Sequence, residues 1–282
     1  MPEPSEAHAR AIALRVLNES MVCEPAHLDV YAIAFMRKVL VEEGMLQGAQ
    51  GRLIIREGRG KVRIDETIPE LGRKRFVAAH ELGHFELHYS KAPLLFSCKA
   101  EYFDLWRQTN PAAEREANAF AAEFLMPKPM FAPLCTGCNP TFDVITDLAG
   151  TFKTSLTATS LRFIDLTSAA CLVVSSNAGV VQWSVSSKGF DQRIRSGQSL
   201  SQNTYAYDFF QGQALPKGPQ EVLAAAWFPE ARLKPDATLL EDSVGMSAYG
   251  SVLTILHILN LIEAEDDPVD EHFTPDGRRY RW

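Results

Sequence analysis

The chain has 282 residues, 46% of them apolar, enough for a sizeable core and for two or three compact units. Its formal charge of −7 excludes a surface that attracts nucleic acid by bulk charge alone. No apolar run reaches membrane-spanning length, the N-terminus lacks a basic-then-apolar export signal, and five irregularly spaced cysteines do not form a secreted disulfide scaffold. A cytoplasmic protein with free thiols is expected.

Residues 5–20 predict a helix, with Ala9, Ile12, Ala13, Val16 and Leu17 on one face. A second helix is expected from Asp29 through VYAIAFMRKVLVEEG, stopped by Gly44. GRLIIREGRGKVRID (51–65) alternates and turns at Gly58 and Gly60, which predicts a strand pair. Pro69 precedes a long helical pattern over 72–89, broken at 91–93. Pro111 opens a helix over 111–126, AAEREANAFAAEFLM, and Pro127 and Pro129 end it. Pro133, a CTGC turn and Pro140 then read as a loop, and the change of composition over 127–140 marks a boundary between two units.

Residues 141–166 predict two short helices with a turn at 153–155. CLVVSSNAGVVQWSV (171–185) predicts a hairpin about Asn177, Ala178 and Gly179. Beyond it, VLAAAWF (222–228) and VLTILHILNL (252–261) are expected as buried elements, and the polar tail over 263–282 as only partly ordered.

The chemistry concentrates in FVAAHELGHFELH (76–88). His80 and His84 are four apart, so on a helix they share a face and can share a zinc ion. Glu81 stands beside the first histidine, where a general base for an attacking water is needed. The helix is apolar over most of its circumference, and buried histidines and glutamate are costly unless paired or metal-bound. Gly83 costs helix stability and is expected to admit a close neighbour. A catalytic zinc takes three protein ligands. His88 as the third fails on geometry, because His80 and His88 lie about 12 Å apart along the axis. It is expected at the cleft rim or bonded to a carboxylate. The other candidates are Glu114, Glu116 and Glu123 on the 111–126 helix. Glu114 and Asn118 are four apart, so one can ligate while the other orients a histidine. Glu116 points away from that pair, and geometry favours Glu114.

RFVAAHELGHFELH followed by EREANAFAAEFLMP resembles the ImmA/IrrE family of zinc metallopeptidases. The resemblance implies His80, His84 and Glu114 as zinc ligands and Glu81 as general base. It also implies a minimal gluzincin-like α+β core, helices plus a small β-sheet. Carried further along the chain, it implies three parts: a peptidase domain over 1–135, a helix-turn-helix-like segment over 136–168, and a GAF-like α/β sensor or partner-binding domain over 169–282. The implied substrate is an XRE-type helix-turn-helix repressor, whose cleavage releases stress-response or mobile-element genes. The implied signal, a small molecule or a protein, acts at the C-terminal domain. The rival reading is a non-proteolytic regulator with a structural or vestigial metal site and a ligand- or partner-binding C-terminal domain. Zinc is the expected metal, although two histidines and a glutamate also accept manganese or iron.

Cys135 and Cys138 have metal or redox spacing but no second pair, which favours loop cysteines without a role. Lys153 and Arg162 are the only basic residues of 141–166, which argues against direct DNA binding. Tyr102, Phe103 and Trp106 lie between the two motifs and read as hydrophobic cover, with Tyr102 a candidate donor to an oxyanion at the cleft.

Overall fold

The computed structural model describes residues 5–88, 95–98 and 111–257. Within them the architecture is α+β, with two sheets and three hydrophobic cores.

The first part opens with α1 (Glu6–Glu19), whose N-cap Ser5 accepts from the His8 N–H. Helix α2 (Val30–Met36) leads into β1 (Val39–Gly44), then β2 (Gly51–Arg56) and β3 (Arg59–Asp65). Helix α3 (Leu71–His88) follows, then β4 (Leu95–Cys98) and α4 (Ala112–Leu125). The sheet order is β1-β3-β2-β4, with β1 parallel to β3 and the other pairs antiparallel. The first core joins α1, α2, α3 and α4 to the inner face of this sheet through Val16, Leu17, Leu53, Val62, Val77, Leu82 and Phe120.

The helix expected from Asp29 to Gly44 is corrected here: α2 ends at Met36, and the rest is strand β1. Lys38 takes a left-handed conformation (φ 66°), and its carbonyl accepts from the Gly60 N–H of β3 at 2.9 Å. The short run Val39-Leu40-Val41 suits helix or strand by pattern, and the ladder offered by β3 decides it.

A second correction falls at 127–140. The expected loop contains α5 (Lys128–Cys135), which has Pro129 in its first turn, where the missing N–H costs nothing, and Pro133 near its end. Phe131 and Cys135 on α5 are buried in the third core, which stabilises this proline-rich turn of helix. Burial lifts the Cys135 thiol to about 11, with neighbouring Cys138 adding to the rise. That opposes thiolate chemistry at Cys135.

Helices α6 (Phe142–Phe152) and α7 (Leu156–Leu166) follow as expected, joined by left-handed Lys153 and capped at Thr141 and Ser155. The hairpin is β5 (Cys171–Asn177) and β6 (Val180–Ser186). Then come α8 (Tyr205–Phe210), β7 (Gln220–Leu223), β8 (Thr238–Met246) and β9 (Ser251–His257). These strands form an antiparallel sheet in the order β6-β5-β9-β8-β7. One face packs on α5, α6 and α7, and the other on α8 and the 190–237 stretch, through Phe190, Trp227 and Phe228. The 222–228 element is strand end plus a 3-10 turn at Ala224–Ala226. Residues 258–261 and the tail lie outside the described residues.

Two polar ties join these layers. The Phe142 N–H at the start of α6 donates to Asp242 of β8 at 2.7 Å. Arg162 of α7 is buried, donates to Glu123 of α4 at 2.5 Å and to the Met126 carbonyl at 3.0 Å, and so anchors α7 to the end of α4. Gly72, at the start of α3, lies so close to the α6–α7 turn that a Cβ there would come within 2.5 Å of the Ser155 nitrogen.

Candidate active site

Helices α3 and α4 lie side by side because Gly83 lets them. A Cβ at Gly83 would come within 3.0 Å of the Phe120 ring and 3.2 Å of its Cβ, so the expected close neighbour is α4 itself. Phe120 then stacks on Phe124 at 5.6 Å and seals the contact.

This approach brings Glu114, in the first turn of α4, onto the histidine face of α3. His80 and His84 are fully buried and Glu114 nearly so. The His80 and His84 Nε2 atoms are 3.0 Å apart, and Glu114 Oε2 lies 3.1 Å from the first and 3.5 Å from the second. Donors bonded to one tetrahedral ion at ordinary zinc distances are about 3.4 Å apart. The spacing therefore fits a zinc-sized cation. The polarity fits as well. Asn118 Oδ1 lies 2.8 Å from His80 Nδ1, so His80 places its proton there and turns a bare Nε2 toward the carboxylate. Converging acceptors without water are stable only around a cation. Among the described residues this trio is the one cluster with such ligand geometry.

The charge states agree. Burial pushes the His84 imidazole down from 6.5 to about 4, and the neighbouring Glu114 carboxylate offsets this only in part. At neutral pH the ring is uncharged, as a ligand must be. Burial pushes the Glu114 carboxyl up, but the His80 and His84 rings beside it outweigh that and hold the group well below the usual carboxylate range. Protons therefore bind the unfolded chain more tightly than the fold at both positions. Between pH 6.5 and about 4, His84 alone makes the metal-free protein less stable as pH falls, by on the order of 3 kcal/mol across the window. Below the usual carboxylate range Glu114 adds a loss of the same sign. Urea unfolding of metal-stripped protein is expected to show a lower midpoint at pH 4.5 than at pH 7. An unchanged midpoint would contradict the neutral, buried His84.

Glu81 is fully buried beside His80. Its carboxylate lies against Gly51, the first residue of β2, where any Cβ would collide with Glu81 Oε1 and come within 2.8 Å of Val77 Cγ1. Gly51 pairs with Ile64 and Cys98, so the strand has no freedom to retreat. Gly51→Ala is therefore expected to displace the carboxylate. The expected outcome is a fall in hydrolytic rate of at least tenfold with metal stoichiometry unchanged, measured by turnover and metal analysis. A variant with the parent rate would show that the carboxylate has room to move without cost.

The remaining expectations resolve as follows. Asn118 stands beside His80, as the four-residue spacing from Glu114 suggests. Glu123 is not a ligand: it pairs with Arg162 and accepts from the Lys128 N–H at 2.7 Å. Glu116 is not a ligand either, but its Oε2 lies 3.0 Å from His88 Nε2. His88 is buried rather than at the rim, with its Nδ1 3.1 Å from His84 Nδ1. The carboxylate alternative is thus the one observed, and the rim is corrected. Tyr102, Phe103 and Trp106 lie outside the described residues. Sequence reasoning missed Gly51 and the bond from Glu116 to His88. The one signal for Gly51 is a glycine opening a strand.

Among known proteins, residues 39–163 match the family model described as the IrrE N-terminal-like domain, Peptidase_M78. No curated protein matches the chain. A solved Mycobacterium tuberculosis transcriptional regulator has a similar fold, with a TM-score of 0.53 at 13% identity, covering 89% of this chain and 77% of that one. Among the described residues no helix is long and apolar enough to cross a membrane. The matched stretch holds both the His80-Glu81-x-x-His84 motif and Glu114, an active site of the metalloendopeptidase type. Residues 39–163 are thus similar to the peptidase domain of the IrrE type, and the zinc-ligand cluster falls inside that stretch.

Proposed function

We propose that the protein is a cytoplasmic zinc-dependent endopeptidase that cuts a regulatory protein, an XRE-type helix-turn-helix repressor, and so releases stress-response or mobile-element genes. The observation that carries the hydrolytic part is the pairing of three converging acceptors with a buried carboxylate one residue away. His80, His84 and Glu114 hold the ion in this reading. Zinc there supplies Lewis acidity toward the scissile carbonyl and the attacking water, and manganese or iron is an alternative occupant. Asn118 fixes the His80 ring by accepting a hydrogen bond from its Nδ1–H. Glu81 takes a proton from the attacking water onto its carboxylate and returns it to the leaving amine nitrogen. The dry walls set by Phe120, Val77 and Leu82 keep those proton transfers away from bulk water.

The same reading divides the chain into a gluzincin-like peptidase part over 1–135, a helix-turn-helix-like segment over 136–168 and a GAF-like sensor over 169–282. The core on one face of the second sheet, drawn wholly from residues 172–256, supports a C-terminal unit with packing of its own, while the core on the other face ties that sheet to α5, α6 and α7. A cavity of about 230 Å³ between α3, α7 and that sheet, lined by Arg73, Phe76, Ser155, Trp183 and Tyr249, supports a small-molecule signal. The burial of Arg162 supports packing, rather than DNA reading, as the role of α7.

A non-proteolytic regulator is the second reading; the structural neighbour is titled a transcriptional regulator, a title silent on proteolysis. The deciding experiment incubates the purified protein, stripped of metal or reloaded with zinc or manganese, with an XRE-type repressor or with unfolded casein. Metal-dependent cuts at one site of the repressor, with casein intact, are the expected result. No cleavage of either substrate with any metal would favour the regulator, and casein digestion would replace the regulatory substrate with a scavenging role.

A further inference from the structure

His84 makes its second ring contact with another histidine. Its Nδ1 faces His88 Nδ1 at 3.1 Å, and His88 Nε2 faces Glu116 Oε2 at 3.0 Å. The other Glu116 oxygen, Oε1, accepts from the Ser5 backbone N–H at 2.9 Å. Ser5 is the N-cap of α1, so the chain of bonds ends on a helix that precedes the stretch matched by the family model.

A neutral imidazole carries one proton, on one of its two nitrogens. Two Nδ1 atoms bond each other only when one is protonated and the other bare. The Glu116 carboxylate only accepts, so His88 places its proton on Nε2. His88 Nδ1 is then bare, and His84 must carry its proton on Nδ1. That leaves the His84 Nε2 lone pair directed at His80 Nε2 and Glu114. One carboxylate thereby sets the tautomer of two rings, and the result arrives at a ligand atom. On the His80 side Asn118 does the same in a single step.

We propose that Glu116 is a positioning residue of the metal site, acting through His88 to fix the tautomer and orientation of His84, and held in place by the first residue of the α1 cap. The inference rests on the metal-site reading above and adds to it a carboxylate and an N-terminal anchor. Loss of such an outer partner costs about 10–100-fold in metal affinity.

The test uses full-length protein stripped of metal and titrated with zinc against a chromogenic chelator, with the visible spectrum of the cobalt-loaded form as a second readout. Glu116→Ala is expected to weaken zinc binding about 10–100-fold and to shift the cobalt bands. Glu116→Gln is the sharper variant, because it keeps the shape but has one acceptor where the carboxylate has two. If its oxygen serves Ser5, its amide faces His88 Nε2 as a donor, and the tautomers reverse. A loss of about tenfold or more is expected there also. His88→Ala is expected to match Glu116→Ala, and the double variant to be no worse than His88→Ala. Wild-type affinity in either glutamate variant overturns the inference, as does a Glu116→Ala loss that adds in full on the His88→Ala background. If Glu116→Ala does not fold, Glu116→Gln decides alone. Failure of the wild-type protein itself to bind zinc sinks the metal-site reading and takes this inference with it.

Discussion

Glu81→Gln is expected to abolish peptide hydrolysis while leaving the metal bound. The ligand atoms belong to His80, His84 and Glu114, and none is altered. Gln has the shape of Glu, so the contact of residue 81 with Gly51 is preserved and the fold carries no new strain. What disappears is a carboxylate able to take a proton from water and hand it to the departing amine. General acid–base assistance contributes about 10²–10⁴ in rate, so the residual turnover should lie at least two orders of magnitude below the parent. The measurement pairs turnover on a peptide substrate that the parent cleaves with zinc content per chain. Full zinc with lost turnover fits the assignment. Full zinc with parental turnover would remove Glu81 from the mechanism, and lost zinc would place it among the groups that build the site.

Arg162→Met is expected to cost the most stability of any single change considered. The pair it breaks is buried on both sides, with side-chain exposures of 2% for Arg162 and 3% for Glu123. Removing one partner leaves an uncompensated charge, which typically costs 3–5 kcal/mol. Glu123 keeps the Lys128 N–H, and Arg10 stands 3.7 Å away, so the lower end, about 3 kcal/mol, is expected here. The double change Arg162→Met with Glu123→Met should recover much of that loss, since two apolar side chains leave nothing unpaired. Denaturant unfolding of the parent, the two single variants and the double variant gives the coupling directly. A cost below about 1 kcal/mol for Arg162→Met would mean that solvent or Arg10 replaces the lost partner. Because Glu123 sits on the helix that carries Glu114, zinc affinity should also fall in the single variant and return in the double.

The parts of the site legible in sequence are those that a single helix determines. His80 and His84 share a face through the 3.6-residue turn, and Glu114 and Asn118 share one for the same reason. The prolines at 111 and 127 bound α4 by backbone chemistry alone, and the glycine in Asn177-Ala178-Gly179 supplies one of the two left-handed positions of its hairpin (φ 76°), Ala178 taking the other (φ 49°). Where local signals were balanced, they failed. Val39-Leu40-Val41 suits helix or strand until β3 pairs with it. The prolines near 130 suggest a loop until Phe131 and Cys135 find a core to enter.

The amino-acid order by itself determined that His80 and His84 share one face of α3 with Glu81 beside them, and it set the borders of α3 and of α4, which carries Glu114. Only the tertiary structure decided that Glu116 rather than solvent meets His88, that Glu123 belongs to Arg162, and that Gly51 makes room for Glu81. Each of those contacts joins residues 28–39 positions apart or a strand to a distant helix. Helical periodicity carries no information across such separations; the crossing of packed elements sets them.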